Sequence, residues 1–361
     1  MAKTPDFDDL AKEYEAVRPQ YEAFTASLDT LIRTLLETEQ IEFAQIETRT
    51  KSLESLSGKV QREDKQGKYN SLADLTDLVG VRIIAYLQED CDKIGSMLEE
   101  AFQVDELNSV RKEDELDPDK FGYLSTHYVV SLPQTRLALP EFRRFEGMKC
   151  EVQVRTLLQH TWAAIDWKFR YKEEREAPRQ LRRRLFRISA LLEAADNEFS
   201  AVKVEIDSLR KQYIEAISRS ELDIAINTES LMSYASESSV WKSIVYDARA
   251  AGMQVVRLGI HGGLEKLSKT LEILGITKLD RLELELNKVK PRVRPLYEFI
   301  VSNRAARSDR HPQLIEAAIV RYVLYAFTSA AKQKAISASA SLSPGYVKTI
   351  SDYLEQSSNS K

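Results

Sequence analysis

The chain has 361 residues, a formal net charge of -4, 43% hydrophobic and 30% charged residues. At roughly 100–200 residues per domain this length implies two domains or three; the balance excludes general disorder, and the slight acidity excludes a globally basic nucleic-acid binder while leaving room for a local basic patch. Only two cysteines are present, Cys91 and Cys150, far apart in sequence, so neither a disulfide framework nor a cysteine metal site can be built, and a reducing, cytoplasmic setting is favoured.

The N-terminus is polar and acidic, unlike a signal peptide. No uncharged run approaches the ~20 residues a membrane helix needs, and no membrane association is expected; the most apolar late stretch, LIEAAIVRYVLYAF, is interrupted by Glu316 and Arg321. From about 8 to 47, Leu10, Tyr14, Val17, Tyr21, Phe24, Leu28, Leu31 and Leu35 recur at helical spacing and predict one or two amphipathic helices packed as core. A short helix, basic at both ends, is expected over Lys51–Val60. From about 77 to 157 the pattern changes to strands separated by polar loops. VGVRIIAYL reads as a buried central strand, CDKIGSMLEEAF as a helix, and FQVDEL, YLSTHYVVSLP and MKCEVQVRTL as further strands. Ser109–Lys120 is charged, contains Pro118 and reads as a mobile loop. After Thr156 the chain reads as helical almost to its end, with Ser, Glu and Asn clustered near 217–238 as a boundary signal. A second helical region over about 240–340 is punctuated by Gly262, Gly263, Gly275, Pro291, Pro295 and Pro312, and the polar end of SLSPGYVKTISDYLEQSSNSK is expected to fray.

Four clusters in the mixed region could do chemistry. In TRTKSLESLSGK, Ser52, Ser55 and Lys59 share a helix face, with Arg49 and Lys51 just ahead of it. Cations and hydroxyls converging on a helix start suit a polyphosphate, although a solvated basic helix start has the same composition. In DLTDLVGVR, Asp77 precedes the buried strand and could hold Mg²⁺; Arg82 falls inside that strand and needs a partner, so an Asp77–Arg82 ion pair is the structural alternative. In KFGYLSTHYVV, Tyr123, Ser125, His127 and Val129 share one strand face and could seat a nucleobase or simply lie half-exposed. In GMKCEVQVRTLLQHTWAAIDWKFRYK, Glu151, Gln153 and Arg155 share a face, either lining a site or pairing across strands. Leu158, Trp162, Ile165 and Phe169 follow as an apolar helix stripe, with Asp166 one turn beyond Trp162.

These four blocks, in this order over roughly residues 40–200, resemble the synthetase domain of the RelA/SpoT family: R-x-K-S-x-x-S-x-x-x-K, then D-x-x-G-x-R, then G-Y-x-S-x-H, then E-x-Q-x-R-T running into a Trp-bearing helix. The resemblance implies an α+β fold, a nucleotidyltransferase-like mixed β-sheet flanked by helices, followed by a mainly helical C-terminal region. It implies a domain over 1–215 with its N-terminal helices, and a helical accessory domain of unknown role over 221–345. It implies transfer of the β,γ-pyrophosphate of ATP to the 3′-hydroxyl of GDP or GTP, giving ppGpp or pppGpp, with Mg²⁺ as cofactor.

On that resemblance Arg49 and Arg82 would sandwich adenine, Lys51, Ser55 and Lys59 would cradle the ATP phosphates, and Asp77 and Glu151 would be the catalytic carboxylates that hold the metal, with Glu151 also able to accept the proton of the attacking hydroxyl. Tyr123, Ser125, His127, Gln153, Arg155 and Asp166 would serve the acceptor nucleotide. Two departures fall on the acceptor side: Leu124 stands where a basic residue is common, and the helix reads W-A-A-I-D-W rather than W-A-E-I-E-H. Alternatives are therefore a toxin-type pyrophosphokinase acting on the tRNA 3′ CCA end or another nucleotide, with Arg143, Arg144 and Arg182–Arg184 as a candidate basic track, or a non-catalytic nucleotide-binding regulator. No hydrolase half is expected, because none of His127, His160, His261 and His311 is followed by Asp. The late helical region is expected to mediate homo-oligomerisation, a regulatory protein contact or grip on an RNA acceptor.

Overall fold

Phe7–Thr38 forms a single long helix, α1, whose buried side chains Leu10, Tyr14, Phe24, Leu28, Ile32 and Leu36 recur every three or four positions or multiples of that spacing. The computed structural model describes residues 7–61, 69, 71–111, 125–171, 179–256, 263–305, 313–339 and 342–359. The chain divides into two compact units, 1–202 and 203–361.

In the first unit the helical stripe does not run to residue 47. It stops at Thr38, Gln40 adopts a left-handed φ of 55°, and Phe43–Thr50 becomes strand β1. The physical reason is pairing: FAQIETRT alternates in hydrophobicity and lies antiparallel against β2, Val79–Ala85, with Ile46 opposite Ile83. Between them α2, Leu53–Val60, is capped by the Ser52 side chain accepting from Ser55 N. Helix α3, Gln88–Ala101, leads to β3, Gln103–Val104. The expected loop at Ser109–Lys120 begins with a short strand, β4, Val110–Arg111; residues 112–120 lie outside the described residues. Strand β5 is Thr126–Ser131, α4 is Gln134–Leu137, β6 is Cys150–Thr156 and α5 is Leu157–Tyr171.

The sheet order is β1-β2-β6-β5-β3, with β4 also pairing β5; β2 and β6 are parallel and the other pairs antiparallel. One face is apolar. Val79, Val81, Ile83, Cys150, Val152, Val154, Tyr128 and Val130 form one core with Phe24, Leu28 and Ile32 of α1 and Ile94 and Leu98 of α3. Burying that face fixes the register, because a one-residue slip would turn every side chain over. Trp162 of α5 is buried, but Ile165, expected on the same stripe, is 41% exposed. The strip that α5 buries is therefore narrower than its sequence spacing predicts.

The boundary between the units falls inside helix α6, Arg179–Ser218, and the helices that follow it in the second unit are α7 Thr228–Glu237, α8 Ser239–Ala250, α9 Leu264–Leu274, α10 Leu279–Val289, α11 Val293–Ala305, α12 Glu316–Ala326, α13 Ala330–Ser339 and α14 Pro344–Asn359. Two short strands that helical spacing does not predict, β7 Gln254–Val256 and β8 Gln313–Ile315, pair in parallel. Helix α12 is apolar on nearly every side and is buried from Ile319 to Ala326, including Arg321, whose guanidinium lies 5.3 Å over the Tyr322 ring. The chain end does not fray as expected: α14 buries Tyr346 and Ile350, with Tyr346 stacked on Tyr322 at 4.9 Å. Gly275 ends α9 in the left-handed region at φ 73°, a conformation glycine adopts without a Cβ clash.

Candidate functional site

Because β-strand side chains alternate, the residues opposite the apolar core share the other face of the sheet. The register sets them in rows about 7 Å apart. Arg49 is opposite Gly80 and Gly80 opposite Glu151; Glu47 is opposite Arg82, Arg82 opposite Gln153 and Gln153 opposite His127; further along, Ile84 is opposite Arg155. Glu47, Arg49, Gly80, Arg82, Glu151 and Gln153 line a cleft of about 280 Å³. Gly80 matters for its missing side chain. The Arg49 chain lies across it, and a Cβ there would stand 3.3 Å from Arg49 Nε.

The charges on this face are cross-linked. Arg82 Nη1 donates to Glu47 Oε2 at 2.6 Å, and Arg82 Nε donates to Gln153 Oε1 at 3.4 Å. Arg155 Nη2 donates to the same Gln153 oxygen. His127 Nδ1 lies 2.7 Å from Glu151 Oε1, and its Nε2 is 2.8 Å from Ser125 Oγ. That contact with His127 holds the Glu151 carboxyl below its ordinary range against the opposing effects of burial and of the Asp77 charge. Burial, then the nearby Arg82, lowers Arg155 to about 10. His160 is lowered by burial and then by Arg155 and Arg82.

A second cluster stands where β1 runs into α2. Lys51 Nζ is 2.7 Å from Asp77 Oδ2, and Lys59 Nζ is 2.8 Å from Asp77 Oδ1. Burial pushes the Asp77 carboxyl up, but the two lysines outweigh it and its pKa falls below the ordinary value. The backbone here is tied down: Lys51 N donates to Leu78 O at 2.8 Å, and Tyr14 Oη donates to Lys51 O at 2.7 Å. Ser52 Oγ donates to Ser55 Oγ at 2.9 Å, so two hydroxyls mark the start of α2 just after Lys51, while Lys59, in the last turn of the helix, reaches the same Asp77 carboxylate. Such a corner favours anions, through backbone N–H groups and positive charge together. The alternative Asp77–Arg82 ion pair is not formed: Asp77 is taken by Lys51 and Lys59, Arg82 by Glu47.

Beyond Arg155, Thr156 caps α5 in a reciprocal box. Its Oγ1 accepts from Gln159 N at 3.1 Å while Gln159 Oε1 accepts from Thr156 N at 2.9 Å. Thr156 Oγ1 donates to Asp196 Oδ2 at 2.5 Å, and burial pushes the Asp196 carboxyl up to about 6.

Of the residues singled out from sequence, Arg49, Arg82, Glu151 and Gln153 line the cleft, and His127 and Ser125 adjoin it through Glu151. Lys51, Ser55, Lys59 and Asp77 form the strand-end cluster. Arg155 is buried, and Asp166 lies on α5, four residues after Trp162. Tyr123 and Leu124 lie outside the described residues. Sequence reasoning missed Glu47. The period-2 alternation of Gln45, Glu47 and Arg49 is its signal, hidden because the helical spacing before it runs on into the strand. Among the described residues no group of three or more His, Cys, Asp or Glu forms a metal cage. Oxygen donors at Asp77 and Glu151 suit a hard divalent cation that completes its shell with phosphate oxygens and water.

Residues 48–176 match the model of a region found in RelA / SpoT proteins. The chain is 28% identical over 162 residues to the GTP pyrophosphokinase YwaC of Bacillus subtilis, covering 44% of this chain and 73% of that protein. To the GTP pyrophosphokinase YjbM of the same organism it is 28% identical, covering 50% and 83%. The crystal structure of small alarmone synthetase 1 from Bacillus subtilis superposes with a TM-score of 0.45 at 22% identity, covering 54% of this chain and 98% of that one. In the described residues no helix is long and apolar enough to cross a membrane. Residues 48–176, which hold the strand-end cluster, the Trp162 helix and every residue lining the cleft except Glu47, are a RelA/SpoT-type domain.

Proposed function

We propose that this chain is a cytoplasmic pyrophosphokinase that moves the β,γ-pyrophosphate of ATP to the 3′-hydroxyl of GDP or GTP. The observation that carries this reading is a pair of features close together in the chain: the cationic cluster of Lys51 and Lys59 beside α2, and a guanidinium-lined cleft on β1 and β2 whose Arg49 stands two residues before Lys51 and whose Gly80 stands three residues after Asp77. From Lys51, the residue after β1, back to Glu47 is four residues of extended chain, about 13 Å, a span that suits a triphosphate followed by its nucleoside.

In this reading Lys51, Ser55 and Lys59 bind the donor phosphates, and Arg49 and Arg82 stack on the adenine. Asp77 and Glu151 would hold Mg²⁺, with the lysines passing from Asp77 to phosphate oxygens as the donor enters. Bound there, Mg²⁺ would neutralise charge on the transferred group. Ser125, His127, Gln153, Arg155 and Asp166 serve the acceptor, with Tyr123 assigned to it by the family resemblance alone. The acceptor 3′-oxygen attacks the β-phosphorus, the bond from that phosphorus to the α,β-bridging oxygen breaks, AMP leaves, and the hydroxyl proton passes to the Glu151 carboxylate. The His127 contact holds Glu151 as the carboxylate, the form that binds a cation, and makes it a weaker proton acceptor than an ordinary glutamate. Cys91 and Cys150 are both buried and not joined in a disulfide, which accords with a reducing compartment.

The test is transfer of label from γ-labelled ATP with Mg²⁺, offering GDP, GTP, ATP or deacylated tRNA in turn. Label on guanine nucleotides is expected. Label confined to tRNA would replace the acceptor, and no transfer to any of them would leave only a nucleotide-binding protein.

A further inference from the structure

The cleft contains a carboxylate with no role in the reading above. Glu47 lies on β1 directly opposite Arg82 and, two residues along the strand, beside Arg49 on the same face. Its side chain is 39% exposed and that of Arg82 is 29% exposed. The guanidinium of Arg82 is therefore gripped from two sides, by the Glu47 carboxylate at 2.6 Å on Nη1 and by the Gln153 amide oxygen at 3.4 Å on Nε. Gln153 is itself shared with Arg155. Two guanidinium groups thus meet on one amide, and the negative charge on this row comes from Glu47.

We propose that Glu47 is a positioning residue of the donor site, holding the Arg82 guanidinium flat across β2 so that it and Arg49 present two parallel cationic faces to the donor base. This rests on the donor-site reading above and adds the reason Arg82 stays in the cleft. Three physical points support it. An arginine side chain has many rotamers and stacks well only if its plane is fixed beforehand. A charge-assisted bond at 2.6 Å supplies that fixing, and its two partners sit opposite one another on paired strands. Without Glu47, Arg82 and Arg155 would repel each other across Gln153, and water would draw the Arg82 head out of the face. Gly80 does the complementary job for the other jaw, since the space its missing Cβ leaves is occupied by the Arg49 chain.

The experiment uses the full chain with titration of α,β-methylene ATP and steady-state transfer to GDP. Glu47→Ala is expected to weaken analogue binding and raise KM for ATP by about ten-fold, with kcat and the KM for GDP changed less than about two-fold. Isosteric Glu47→Gln, which keeps the shape of the site, is expected to move the same parameters by about three-fold. In an Arg82→Ala background Glu47→Ala is expected to add less than about two-fold, because both changes disable one jaw. Unchanged ATP affinity in both Glu47 variants would overturn the proposal. A full ten-fold effect persisting without Arg82, or a loss that falls on kcat, would overturn it too. Wild-type protein that transfers pyrophosphate while Glu47 proves neutral sinks only this inference; wild-type protein that neither binds the analogue nor transfers sinks the donor-site reading with it.

Discussion

The two units place their charged groups differently. In the first, Glu47, Arg82, Gln153 and Arg155 form a chain across three strands beside an open cleft, and Asp77 is held between two lysines at the strand ends. In the second, polar side chains tie helices into a core. Tyr234 donates to Glu283, Trp241 Nε1 donates to Glu316 Oε2 at 3.4 Å, and Tyr297 Oη donates to Ile319 O at 2.7 Å. Carboxylates and backbone carbonyls inside the helical packing absorb the second set. The first set faces space large enough for a ligand. Buried polar groups that satisfy one another rigidify a fold, whereas cations assembled around a cleft stay available to a new anion.

That contrast can be broken in four ways. The largest effect is expected from Glu151→Gln, which keeps shape but removes charge: transfer should fall by about a thousand-fold, while the protein still unfolds in one cooperative transition. Retained activity would show that the polar face is structural after all. Next, Leu271→Ala in the second core, where Leu271 is fully buried, should cost about 3 kcal/mol in chemical denaturation. A negligible cost would show that this unit is not packed as described. Gly80→Val should come third. Its side chain displaces Arg49 from the strand, and KM for ATP should rise about five-fold with stability little altered. A GDP-specific effect would instead assign that part of the cleft to the acceptor.

The smallest effect concerns acid. The Asp77 and Glu151 pKa values are depressed in the folded state, so their contributions are fully present above the ordinary carboxylate value near 4 and are lost as pH falls through the folded values. Stability of the wild type should therefore decline below about pH 4. Asp77→Asn should decline less steeply, read from denaturation midpoints. A steeper decline would give Asp77 the opposite sign.

Much of the site is legible before folding. CEVQVRT alternates so regularly that Glu151, Gln153 and Arg155 must share a face if it forms a strand, and Val152 and Val154 must be its buried side. The start of α2 is marked by Ser52, whose side chain does cap it. FAQIETRT is equally alternating, yet it follows a helix whose apolar spacing blurs into it, and local pattern does not say where one period ends. The polar composition of the tail predicts fraying, whereas α14 is retained by Tyr346 and Ile350, and the stacking partner of Tyr346 is Tyr322 on another helix.

What the sequence determined by itself is the set of chemical groups, the strand faces they occupy and the caps that start the helices, because each depends on neighbours within a few residues. What only the tertiary structure decided is who meets whom. Asp77 could have paired with Arg82, close by in the chain, but the turn into β2 delivers it to Lys51 and Lys59. Arg82 is left to Glu47, 35 positions away, because β1 pairs antiparallel with β2 in the register that buries Ile46 and Ile83. The apolar face sets that register, since a slip would expose the core, and the charged face of the cleft is arranged by it as a consequence.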